Sequence, residues 1–197
     1  MSVTLPWTRI NDLTIRPRLF SGNQEGVLGG ADLQIPRMGD RFVVDVSTSQ
    51  LRQDPESRLL IALLMEATTA DARIELRMPN RPKPIGSGIV VDGAGQTGST
   101  LNVRGLFRQT EIVHGRFFSV VHGGVHFVYM TRGRVVADAN GNAAVPIWPM
   151  LRFITVDGEE AAFDQPFIEG QLVGFDKGAG FERNRTKPLA FSIRERK

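Results

Sequence analysis

Gly93, Gly95 and Gly98 reproduce the glycine spacing of a dinucleotide-binding loop, and they follow the apolar run Ile89 to Val91 as such a loop would. That chemistry also needs a helix beginning directly after the loop, so that its amides and dipole can hold a pyrophosphate. Ser99 to Gly105 instead alternates like a strand, which makes the glycines a Gly-rich hairpin turn. His122 and His126 stand four apart, a metal spacing on a helix, but Gly123 and Gly124 between them favour a tight β turn. His114 is close in sequence, with no carboxylate beside it to complete a ligand set. Glu159 and Glu160 follow the turn at Asp157 and Gly158 and read as a solvated loop. No serine sits in a nucleophile elbow and no base or acid partner is suggested, so neither catalysis nor a cofactor or metal is expected.

Arginine is the remaining reactive type. The chain carries 24 basic and 21 acidic residues, a net charge of +3, and lysine occurs only at Lys83, Lys177, Lys187 and Lys197. Arginine's planar fork suits carboxylates, phosphates and protein interfaces alike. The basic end, with Arg183, Arg185, Lys187, Arg194, Arg196 and Lys197, could touch phosphate, but only Phe181 and Phe191 are near enough in sequence to stack on bases. Subunit contact is therefore expected ahead of nucleic-acid contact. The interface candidates are Trp7, Arg9, Arg16, Arg18 and Phe20 in the first segment and Arg183, Arg185 and Arg194 in the last. Trp148, between apolar strand residues and a proline, is expected in the core.

These residues need elements to place them. At 197 residues and 41% hydrophobic the chain can bury a core, and with no cysteine that core is not held by disulfides or thiolate zinc. No stretch of about 18 uncharged apolar residues occurs and Met1 to Trp7 lacks a secretory pattern, so membrane insertion and classical export are not expected. Residues 1–36 read as an extended arm or loose hairpin, with turn formers at Ser21, Gly22, Asn23, Gly29 and Gly30, that needs a partner surface. Asp54, Pro55 and Glu56 open a helix of about 55–68, with Leu59, Leu60, Leu63, Leu64 and Ala67 on one face. Period-two runs predict strands near 41–46, 74–78, 89–91, 100–103, 117–121, 125–130, 135–137, 144–147, 171–175 and 189–193. Val135 to Ala137 and Ala144 to Ile147 are expected to pair across Asn140 and Gly141. Pro79, Pro82 and Pro84 mark a linker. The fold class is mainly β with one amphipathic helix: a β-sandwich of 1–84 plus 166–197, with a small barrel or sandwich inserted at 85–165.

The Gly93 to Gly98 turn, Thr100 to Gly105, and Val136 to Ala143 together resemble a family of tailed-bacteriophage tail-tip proteins, the distal tail proteins. Ile147, Trp148, Pro149, Met150, Leu151 and Arg152, then Asp157 and Gly158, then Pro166 before Gln171 to Val173, are similar to that family's ending in order and spacing. The likeness is strong over about 88–174 and looser through Leu5 to Trp7, Gly39 to Phe42 and Pro55 to Ala67. Gln109 to Arg132 departs from it, with Phe117, Phe118 and the glycine pair. The resemblance implies a virion structural protein, made in the host cytoplasm, that forms a ring, commonly a homohexamer, joining the tail tube protein to tip or baseplate hub proteins. It carries over no catalytic motif. Two rivals remain: a carbohydrate or host-receptor module using Phe117, Phe118, Phe127 and Tyr129, and a nucleic-acid-binding barrel.

Overall fold

The computed structural model describes residues 2–25, 30–35, 37–78 and 83–196, without the side chains of Asn23 and Gln34. The expected turn at Gly29, the linker prolines Pro79 and Pro82, and Lys197 lie outside the described residues. The chain is mainly β, with one helix among the described residues, as its patterning requires. It divides into two compact units: Met1–Arg16, Phe42–Leu76 and Phe167–Arg196 form the first, and Pro17–Arg41 with Arg77–Pro166 the second.

In chain order, β1 (Ser2–Thr4), β2 (Ile10–Arg18), the short hairpin β3 (Gly22–Gln24) and β4 (Leu33–Ile35), β5 (Arg41–Thr48) and β6 (Leu51–Arg52) precede the helix α1 (Pro55–Glu66). After it come β7 (Asp71–Glu75), β8 (Gly86–Val91), β9 (Thr100–Leu106), β10 (Glu111–Ile112), β11 (Phe117–His122) and β12 (Val125–Thr131). The remaining strands are β13 (Val135–Val136), β14 (Ala143–Trp148), β15 (Ala161–Ala162), β16 (Phe167–Val173), β17 (Arg185–Thr186) and β18 (Ala190–Glu195).

The first unit is built on a six-stranded sheet of order β1-β7-β16-β18-β5-β2, with β1 parallel to β7. Where a sandwich was expected, this is one mixed sheet accompanied by α1. The helix begins as its sequence dictates: Asp54 caps it by accepting the Ser57 amide at 2.8 Å, and Pro55 needs no amide partner in the first turn. It buries Ser57, Leu60 and Leu64, followed by Ala67, while Leu59 is exposed. Leu59 sits about 100° around the axis from Leu60, at the margin of the stripe.

The expected N-terminal arm is not free. Residues 2–18 supply both edge strands of the sheet, because β1 and β2 find partners in β7 and β5. Hydrogen bonding within the sheet satisfies a backbone that sequence pattern alone left unpaired.

The second unit centres on a sheet of order β15-β11-β12-β14-β9-β8. It closes on itself through the bridge Val90 to Glu160, with the Val91 amide donating to the Glu159 carbonyl at 2.8 Å and Val121 to Glu160 at 2.9 Å. Closure removes the exposed edges of the sheet. Inside lie Val91, Leu101, Val103, Phe118, Val120, Tyr129, Val145, Ile147 and Phe163, and the Phe118 and Phe163 rings stack at 4.2 Å. Gly123 and Gly124, both at positive φ, turn β11 into β12 across a two-residue loop. The turn at Asn140 and Gly141 exists, closed by Asp138 on the amides of Asn140 and Asn142, but it joins no ladder. Instead β13 pairs with β10, and β14 lies between β12 and β9. The six-residue connection 137–142 lets the flanking strands diverge to different neighbours. Among the described residues no helix is long and apolar enough to cross a membrane.

Candidate interaction surfaces

The sequence grouped eight residues as interface candidates, and the fold separates them. Trp7 was expected at an interface. It is half-buried, with Nε1 donating to the Glu75 carbonyl at 2.7 Å, so it anchors the chain to β7 within its own unit. Arg9 pairs with Asp54 and Glu56 at the start of α1, and Arg16 grips Asp45 through two nitrogens. The Arg16 guanidinium, followed by the Ser192 hydroxyl, holds the Asp45 carboxyl below its usual range against the opposing effect of burial. These two arginines are neutralised inside the chain. Arg194 is half-buried on β18, with its charge near Asp45.

Arg18 and Phe20 sit at the base of the β3–β4 hairpin. The Arg18 and Arg41 guanidiniums lie 5.0 and 4.5 Å from the centre of the Phe20 ring. Buried Asp40 fixes this base by accepting the amides of Phe20 (2.6 Å) and Ser21 (2.8 Å) and the Ser21 hydroxyl (2.6 Å). Burial alone would raise the Asp40 pKa, but these three donors outweigh it and hold the carboxyl below its ordinary value. Beside this base opens a cavity of about 870 Å³ lined by Leu19, Arg37, His114, Arg132, Trp148 and Met150 among others. Trp148, expected in the core, is half-buried on its wall.

Arg183 and Arg185 meet a different setting. The turn 182–185 is closed by the Glu182 amide on the Arg185 carbonyl at 2.7 Å, and β17 pairs with β6 so that Arg185 faces Arg52 directly. Gln53 donates to the Arg183 carbonyl at 3.0 Å, and Arg185 donates to the Gln50 side chain at 2.8 Å. A groove of about 280 Å³ runs alongside, lined by Arg52, Gln53, Asp54, Ser57, Arg58, Ile61, Phe181 and Thr186. Phe181 at its edge is 73% exposed. Among the described residues, Arg52, Arg58, Arg183 and Arg185 have no carboxylate within ion-pair distance. Asp54, the acid in the groove, already serves Arg9 and the helix cap.

The loop after β14 is the third surface. Buried Thr155 ties it to the Gly93 to Gly98 turn: Gly95 donates to the Thr155 carbonyl at 2.8 Å and Gln96 to its hydroxyl at 3.0 Å. Asp157 accepts from Arg104 at 2.6 Å and from the Gly93 amide at 2.8 Å. Arg104 first, and that amide second, bring the Asp157 pKa down to about 2. Glu159 reaches His122 Nδ1 at 2.5 Å, and the His122 ring stacks on Phe153. The glycine turn thus spends its amides on Thr155 and Asp157, and the strand β9 follows it where a dinucleotide site needs a helix. Among the described residues no group of three His, Asp or Glu could hold a metal ion. No family model matches this chain, and no curated protein does.

Sequence reasoning singled out Arg183 and Arg185 but not Arg52, Arg58 or the exposed loop pair Ile154 and Val156. Nothing in the local pattern signals that Arg52 and Arg185, far apart in the chain, will be cross-strand neighbours.

Proposed function

We propose that this chain is a virion structural protein of a phage tail, similar to distal tail proteins, whose copies assemble into a ring between the tail tube and the tip or baseplate hub. The residues carrying the family resemblance support this reading. The observation that carries it is the groove lined by Arg52 and Arg58, with Arg185 the cross-strand partner of Arg52 and none of the three within ion-pair distance of a carboxylate among the described residues, and with an exposed Phe181 at its edge, a surface whose charge and apolar edge suit an acidic protein partner. A heterologous contact between two different patches of one chain closes into a ring when the rotation allows. The virion is the proposed location, after synthesis in the host cytoplasm.

Mass photometry and negative-stain electron microscopy of the purified chain test this. Closed rings, six-membered in the commonest case, are expected at micromolar concentration, whereas a monomer at every concentration would overturn the reading. Of the four aromatics on which the rival glycan module would stack a sugar, Phe118, Phe127 and Tyr129 are buried and Phe117 is half-buried, which favours the ring reading.

A further inference from the structure

Phe181 and Ile154, at 73% and 67% exposed, are the most exposed large apolar side chains among the described residues, and they lie in opposite electrostatic settings. Phe181 edges the groove beside Arg52, Arg58 and Arg185. Ile154 and Val156, 55% exposed, flank the pinned Thr155 and are followed by exposed Glu160, while the intervening Asp157 and Glu159 are already held by Arg104 and His122. We infer that the loop 154–160 of one copy seats in the α1–β17 groove of the next, with Ile154 and Val156 against Phe181 and Ile61 and with Glu160 facing Arg58 and Arg185. This rests on the ring reading and names the contact that would build it.

Three observations favour this occupant. First, Arg52 and Arg185 are direct partners in the β6–β17 ladder, and like charges placed opposite one another destabilise a strand pair. An acid from outside the chain would turn that cost into attraction. Second, the loop is held rigid by Thr155, Asp157 and Glu159, so its apolar pair cannot fold inward and loses little entropy on docking. Third, exposed Leu19 and Met38 are flanked in sequence by Arg18 and Arg37, so their segments would bring like charge to the groove. Because knob and groove are different patches, the contact is head-to-tail and propagates from copy to copy.

The test uses the full chain with Arg58→Glu and Glu160→Arg, each alone and then mixed. Each single variant places like charges across every contact, and its half-assembly concentration is expected to rise at least about tenfold. In an equimolar mixture each groove can accept the other variant's loop, so alternating, even-numbered rings are expected to return. That rescue also shows both variants to be folded. Rings formed by either variant at the parent's concentration, or no rescue on mixing, would overturn the contact while leaving the ring reading in place. A parent chain that never assembles would overturn both. Retention of single-stranded DNA by the parent, lost in Arg58→Glu while rings persist, would reassign the groove to nucleic acid. With no native cysteine, mixing Ile154→Cys with Phe181→Cys copies supplies a second readout, and an absent intermolecular disulfide under oxidation counts against the contact.

Discussion

Asp157 shows how one side chain secures the closure of the barrel. Its carboxylate joins Arg104 to the Gly93 amide, next to the backbone bonds by which Gly158 and Glu159 meet Val91. Its folded pKa, about 2, lies below the ordinary value of about 3.9. The stabilisation it supplies is therefore fully present above about pH 4 and is lost as the pH falls through 2. A carboxyl titration followed by NMR should give Asp157 a midpoint near 2, and Asp157→Asn should speed hydrogen exchange at Gly93 at neutral pH. Arg116 is the buried counterpart. Its guanidinium donates to the carbonyls of Phe163 and Lys83 and to Asp164 at 2.8 Å, and burial lowers its pKa despite Asp164. Arg116→Met leaves two carbonyls without a donor and should cost about 2–4 kcal/mol in urea denaturation. Asp164→Asn should cost only about 1 kcal/mol, because Asp164 is partly exposed and the carbonyl bonds survive.

Among the elements, α1 and the β16–β18 ladder are the most exacting. Leu64 is fully buried on the helix, and Leu64→Ala should lower stability by about 2–5 kcal/mol on thermal or urea denaturation. Gly170 faces Glu195 where β16 and β18 approach so closely that a Cβ would lie 1.9 Å from the Arg194 carbonyl oxygen. Gly170→Ala must push the strands apart, at a cost of about 3 kcal/mol by the same measurement. The two elements differ in how far their sequences announce them. The cap at Asp54 and the three- and four-residue spacing mark α1 locally, whereas nothing near Gly170 tells that another backbone will press on it. Likewise the runs at β11 and β12 were legible by alternation and by the glycine pair. The expected pairing of β13 with β14 was not met, because strand choice is decided by neighbours distant in sequence.

For the whole molecule, the prediction is assembly by a repeated head-to-tail contact. Since that contact pairs acids with arginines at a partly exposed surface, raising the salt from 0.1 to 1 M should shift the half-assembly concentration upward in mass photometry. An assembly driven by apolar burial alone would hold or strengthen under the same change, which would speak against the arginine groove.

Local chemistry alone determined the class and most elements of this protein: the helix cap, the period-two strands, the glycine turns, and the absence of cysteine are all short-range properties that a single segment carries. Which arginines stay without a carboxylate was settled only in three dimensions. Arg9 and Arg16 read no differently from Arg52 and Arg185 in the chain, yet folding delivers Asp54 and Asp45 to the first pair and sets the second pair facing each other. Charge acts through space over a few ångströms, so its balance depends on strand order and register, and these are properties of the completed sheet.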